Sequence, residues 1–197
     1  GNDRPVFVLM AGTNIDRIVT FYKIANATKR LFLLDTYAGK ITDTIGGNIP
    51  NPRTFSNVRI FLTNQDKYEI LKNYPQNKIG KNEIANSNFM MCIRSSMKQY
   101  LENRSKEFSF EGCVLFYSMW EGYKKQENMK EFLKFMEEKG VKTISLHTSG
   151  HADEKDFDKL IKKVEPKIII PVHTENSEWF KRYENCEVIC DKNIIKI

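Results

Sequence analysis

The sequence predicts an α/β fold built on a mainly parallel sheet. Three observations predict it. Short apolar runs without alternation recur along the chain, at residues 5–10, 31–34, 58–62, 88–93 and 112–117, and such runs suit strands covered on both faces. Between them lie stretches whose apolar residues recur at helical spacing. The turns joining the two are small or polar, as at Ala11-Gly12-Thr13-Asn14 and Arg94-Ser95-Ser96. With 197 residues, 41% of them hydrophobic and 28% charged, the chain is long enough to bury a proper core as one large or two small domains.

In chain order, the run at 5–10 is the first strand. The turn after it opens a helix whose apolar stripe is Ile15, Ile18, Val19, Tyr22, Ile24 and Ala25. Residues 31–34 form the second strand, ending at Asp35-Thr36-Tyr37. A small-residue turn at a helix start can hold a phosphate on free N–H groups, but a tight strand-to-helix turn needs small residues with or without a ligand. Residues 39–57 carry Gly46-Gly47, Pro50 and Pro52 and read as a long loop. A strand at 58–62, a short helix at 66–73 stopped by Pro75, and a polar loop at 76–87 follow. The strand at 88–93 runs into a helix reaching Arg104, and the strand at 112–117 ends at Ser118. Residues 126–139 form an amphipathic helix with Met129, Phe132, Leu133 and Met136 on its core face, and Gly140 is placed to end it. A strand at 143–146, a helix carrying Phe157, Leu160, Ile161 and Val164 with Asp153 as N-cap, and a strand at 167–172 read as one strand–helix–strand unit. Its parallel strands would put both following loops on one sheet edge. A short segment with Trp179 and Phe180 and two strand-like runs at 187–190 and 193–197 close the chain.

The net charge of +6 fits an anionic partner such as nucleic acid, though lysines on solvated helix faces account for much of it. Of the four cysteines, Cys92 and Cys113 lie in apolar runs and read as buried thiols of a reducing, cytoplasmic compartment. Cys186 and Cys190 lack the C-x-x-C spacing and the second pair that a zinc site needs. No apolar run approaches about 18 residues, so no segment reads as a membrane span.

The chemistry gathers in residues 142–175, which hold all three histidines, His147, His151 and His173. The first two flank Thr-Ser-Gly; the third follows an isoleucine run and Pro171-Val172. A catalytic zinc takes three protein ligands and a structural one four, and the spacing here is neither HExxH nor HxH. From the residues alone, the chain offers one metal ligand together with a histidine acting as general acid or phosphate contact. A structural role stays open beside it, with His147 and His151 packing around their loop and His173 closing a strand.

His147-Thr-Ser-Gly-His151-Ala, followed by Ile170-Pro-Val-His173-Thr-Glu175, resembles the closing motifs of the β-CASP branch of the metallo-β-lactamase superfamily, with the ribonuclease J group as the nearest relative. Residues 5–17 are similar to that branch's first Rossmann-like strand and helix, and Phe89 to Ser96 and Cys113 to Ser118 follow its later strand-plus-serine turns more loosely. The resemblance implies a Rossmann-like, mainly parallel β-CASP region at 1–111 and the C-terminal part of a metallo-β-lactamase domain at 112–197. It implies a zinc-dependent phosphodiesterase, with one or two ions, that hydrolyses RNA. His173 would ligate metal. His151 would face the scissile phosphate, Ser149 and Gly150 would offer it a hydroxyl and N–H groups, and His147 would support the same loop. Glu175 would orient His173.

One departure is large. The superfamily's HxHxDH motif has no counterpart before His147, and the branch's first acidic motif would lie upstream of residue 5. The expectation is therefore the C-terminal portion of a longer enzyme, inactive alone, whose partners are the N-terminal metallo-β-lactamase region of the same chain, RNA, and in some members a second copy. Thr174 stands where a glycine is common. Two other classes remain in view: a hydrolase of the same fold acting on a small substrate, and a non-catalytic Rossmann-like binding module. Thr13, Arg94, Ser95, Ser96 and Ser118, at strand ends, are secondary candidates whose turn-forming role is as good an explanation.

Overall fold

The computed structural model describes residues 4–63, 68–146, 154–172, 174 and 176–189. Two compact units divide the chain, Gly1–Thr148 and Ser149–Ile197.

The first unit is a six-stranded parallel sheet in the order β3-β2-β4-β1-β5-β6. Its strands are β1 (Val6–Leu9), β2 (Leu31–Asp35), β3 (Val58–Phe61), β4 (Phe89–Ile93), β5 (Val114–Tyr117) and β6 (Lys142–Ser145). The helices are α1 (Ile15–Ala27), α2 (Thr36–Ile45), α3 (Lys81–Ala85), α4 (Lys98–Arg104) and α5 (Glu127–Glu138). Successive side chains of a strand face opposite sides, and the apolar runs supply both. Val8, Phe32, Leu34, Val58, Ile60 and Cys92 pack with Ile18, Phe21 and Ala25 of α1 and Ala38 of α2. Phe7, Leu9, Leu33, Phe61, Phe89 and Leu115 pack on the other face with Ile84 of α3, Leu101 of α4 and Phe132 and Met136 of α5. Right-handed crossovers require this division: the chain moves one way along the sheet through α1 and α2 and returns through α3, α4 and α5.

The expected strands at the sheet's centre, the helix from Ile15 and the helix ending at Gly140, whose φ is +76°, are all formed. Two expected loops contain helices. α2 starts ahead of 39–57 and takes up its first residues to Ile45, because Asp35 caps it, accepting from the Ala38 N–H at 2.9 Å, and because Thr36, Ala38, Gly39 and Thr42 are buried. Its threonines and glycine are poor helix formers, so tertiary packing overrides propensity. α3 lies inside 76–87, anchored by buried Ile84. The helix expected at 66–73 is a 3₁₀ helix over Tyr68–Asn73. The domain boundary expected at 111/112 falls inside this unit, since β5 pairs with β1 and β6 with β5.

The second unit contains α6 (Glu154–Val164), β7 (Ile168–Ile169), a 3₁₀ helix over Ser177–Arg182 and β8 (Glu187–Val188). The expected α6 stripe is present; Asp153, its expected cap, lies outside the described residues. β7 pairs in parallel with β8 in a separate two-stranded sheet. The expected strand–helix–strand unit, with β6 and the strand after α6 sharing one sheet, is therefore not what the described residues form. Pro166 and Pro171 bracket β7, and a residue without an N–H cannot extend a ladder.

Candidate functional site

In the first unit, the carboxyl ends of the parallel strands carry two polar latches. After β5, the Ser118 N–H donates to the Leu9 carbonyl at 2.9 Å, fixing the turn against β1. The Ser118 hydroxyl donates to the Leu146 carbonyl at 3.2 Å and accepts from Arg17 of α1, which also donates to that carbonyl at 3.1 Å. The Leu146 N–H donates to the Tyr117 carbonyl at 2.8 Å. Leu146 is thus held through both its backbone groups, one residue before His147. Ser118 is buried and its hydroxyl fully engaged, which makes it a structural latch rather than a nucleophile.

The second latch joins β2 to β4. Arg94 donates to the buried Asp35 carboxylate, and its guanidinium lies 5.1 Å from the centre of the exposed Tyr37 ring. Asp35 carries two tasks, capping α2 and anchoring Arg94, whose Nε is buried with no hydrogen-bond partner among the described residues. With Asp35 beneath it, Arg94 has its charge balanced and is a poor free anion receptor. Thr13 lies in the turn after β1 and Ser95 and Ser96 in a 3₁₀ turn after β4, as expected of strand-end residues.

In the second unit, Glu154, Phe157, Thr174, Asn176, Trp179 and Phe180 line an open cleft of about 200 Å³. The Phe157, Trp179 and Phe180 rings meet edge to face, with centres 5.0 to 6.3 Å apart, a geometry the ring quadrupoles favour. Asn176 accepts from the Trp179 N–H at 3.2 Å and so starts the 3₁₀ helix, and the Asn176 N–H donates to the Thr174 hydroxyl at 3.2 Å. Asp158 of α6 ties the unit together, accepting from the Tyr183 hydroxyl and from Arg182 at 2.6 and 2.8 Å. Those hydrogen bonds, Tyr183 first, hold the Asp158 carboxyl below its ordinary value. Arg182 stacks 4.0 Å from the Trp179 ring centre.

All six residues placed in the site from sequence, His147, Ser149, Gly150, His151, His173 and Glu175, lie outside the described residues. Their chain neighbours do not: Thr174 and Asn176 bracket Glu175 and line the cleft, and Glu154 follows His151 by three positions. Among the described residues no group of three His, Cys, Asp or Glu could hold a metal ion, so by themselves they do not fit a catalytic zinc, which takes three protein ligands. Cys92 and Cys113 are buried, and burial pushes the Cys113 thiol up to about 11 and Cys92 further, so neither supplies a thiolate. No helix of the described residues is long and apolar enough to cross a membrane. Sequence reading passed over Arg17, Asp35, Tyr37 and Trp120. An acidic residue directly before Thr36 is the one signal that could have marked Asp35 as a cap.

Residues 139–184 match the family model of the Zn-dependent metallo-hydrolase RNA specificity domain. That segment begins before β6, ends in the turn after the 3₁₀ helix, and contains all three histidines and Glu175. It supports the resemblance at the level of the metallo-β-lactamase superfamily. Curated proteins give no match. The crystal structure of a protein of unknown function from Enterococcus faecalis V583 is similar over 95% of this chain, with a TM-score of 0.67 and 20% identity. The chain spans 39% of that protein's length. At this identity the likeness speaks for the fold.

Proposed function

We propose that this chain is the RNA-facing, C-terminal part of a zinc-dependent phosphodiesterase of the β-CASP type. The observation that carries the reading is the RNA specificity match over 139–184, which encloses both histidine motifs. His173 serves as one ligand of a metal site completed by residues outside this chain, and Glu175 orients its ring. When bound, zinc would supply a Lewis acid and an activated water. His151 faces the scissile phosphate and gives a proton to the leaving oxygen. The Ser149 hydroxyl and Gly150 N–H hold a non-bridging oxygen, and His147 supports the same loop. The latch of Arg17 and Ser118 on Leu146 fixes the entry to that loop.

The test is cleavage of single-stranded RNA by the native full-length protein with and without zinc. His173→Ala should lose zinc and abolish cleavage, whereas His151→Ala should retain zinc and lose about 10²- to 10⁴-fold in rate. A zinc-loaded protein that leaves RNA intact, or a His173→Ala variant with full activity, would overturn the reading. Turnover of small phosphodiesters but not oligonucleotides would assign the fold a smaller substrate instead.

A further inference from the structure

One surface feature of the first unit belongs to neither latch nor cleft. From the end of β5 the chain reads Tyr117-Ser-Met-Trp120-Glu-Gly-Tyr123-Lys-Lys125, with an aromatic residue at every third position and two lysines after the last. Trp120 is 56% exposed and Tyr123 38%, although Trp is among the largest apolar side chains a fold can bury. They are not loose. Glu121–Lys125 is a 3₁₀ helix, the Tyr117 hydroxyl donates to the Trp120 carbonyl at 2.9 Å, and the Tyr123 N–H donates to it at 3.1 Å. The six-membered ring of Trp120 lies over Gly122, where any Cβ would run into it. Tyr123 meets the indole edge to face, with ring centres 5.5 Å apart. The result is a fixed aromatic ledge with the indole braced from below and exposed above.

The charges around it are arranged. Lys124 lies 4.5 Å from the Tyr117 ring centre, pairs with Glu121 at 2.7 Å and donates to the Ser145 hydroxyl at 2.7 Å. It therefore offsets the nearest carboxylate and fastens the ledge to β6, inside the segment that matches the RNA specificity domain. Lys125 is exposed beside it. A rigid exposed aromatic pair next to an exposed ammonium is the arrangement that binds unpaired nucleotides, bases on rings and phosphates on cations.

We propose that Trp120 and Tyr123 form a stacking ledge for unpaired bases of an RNA strand, with Lys125 contacting its backbone. This rests on the reading that the protein acts on RNA. It makes the protein prefer single-stranded over duplex substrate, with little dependence on base identity, since every base offers a π-face.

The test uses the native full-length protein and oligouridylate or oligoadenylate of equal length. This chain holds two tryptophans, Trp120 and Trp179; in a full-length variant with every tryptophan but Trp120 replaced by phenylalanine, the emission reports Trp120 and should be quenched on binding. Trp120→Ala should weaken binding of single strands about 5- to 150-fold, the span of one base–aromatic stack, while Trp120→Phe restores most of it. Gly122→Ala, which displaces the ring without removing it, should weaken binding in the same direction. Lys125→Ala should flatten the dependence of log K on log salt by about 0.7. RNA bound with unchanged affinity by Trp120→Ala, or a Trp120 shielded from acrylamide in the free full-length protein, overturns the ledge and leaves the RNA reading standing. Failure of the unmutated protein to bind any RNA overturns both.

Discussion

The two units of this chain spend their apolar residues differently. In the first, strands bury Phe7, Leu9, Phe32, Leu33 and Phe89 completely, and α5 contributes Phe132 and Met136. In the second, α6 buries no residue; Leu160 and Val164 are more than half exposed, as is Val172. Phe180 is the one buried apolar side chain recorded there among the described residues. The first unit therefore carries the hydrophobic stabilisation, at about 1.5 to 3 kcal/mol per large side chain buried. The second is held by an aromatic cluster and the Asp158–Arg182–Tyr183 knot, and its residues include His151 and His173, whereas His147 belongs to the first. Most of the buried apolar side chains lie in one, and the proposed metal ligand and proton donor in the other.

The largest effect that would break this contrast is in the core. Phe132→Ala should cost about 3 to 5 kcal/mol in denaturant unfolding, and Leu160→Ala on exposed α6 about 0.5 kcal/mol or less. Comparable losses would mean that α6 is as deeply packed as the sheet. A smaller effect sharpens it. Arg17→Ala leaves the Leu146 carbonyl with one fewer charged donor and should cost roughly 1.5 to 3 kcal/mol. The telling readout is amide exchange at Leu146, which should quicken while that of β1 and β4 does not. Uniform acceleration would make Arg17 a general stabiliser rather than a latch.

The smallest concerns pH. The Asp158 carboxyl is held below its ordinary value, so the unfolded chain binds its proton first as pH falls. Its contribution is fully present above the ordinary carboxylate value near 4 and is lost as pH drops through the lower folded value. Trp179 emission, sensitive to Arg182 stacked on the ring, should change in that acid window, and Asp158→Asn should abolish the transition. A transition that persists in Asp158→Asn would assign it to another carboxylate.

Most of the sheet was legible because β1, β2, β4 and β5 are largely apolar runs and α1 and α5 keep a 3.6-residue stripe; Phe89 to Ile93 and Met129 to Met136 admit few other readings. α2 was not legible, because its helix rests on the Asp35 cap and on burial of Thr42 and Gly39, neither visible in a window rich in threonine and glycine. The separate β7–β8 pair was missed for the opposite reason. Residues 167–172 are strongly apolar, and nothing in that run says which strand it will pair with. The latches of Arg17 with Ser118 and Arg94 with Asp35 span 101 and 59 residues of chain, beyond any local pattern. The histidine motifs were legible only through family likeness, since three imidazoles at these spacings do not by themselves make a metal centre.

The measurement that bears most directly on the central claim is an anomalous zinc map of crystals of the native full-length protein with a non-hydrolysable RNA bound. The account predicts a zinc peak about 2.0 to 2.1 Å from a His173 ring nitrogen, with the His151 ring within hydrogen-bond reach of the phosphate. Zinc bound without His173, with the His151 and His173 rings in separate, closed, hydrogen-bonded pockets, would contradict it.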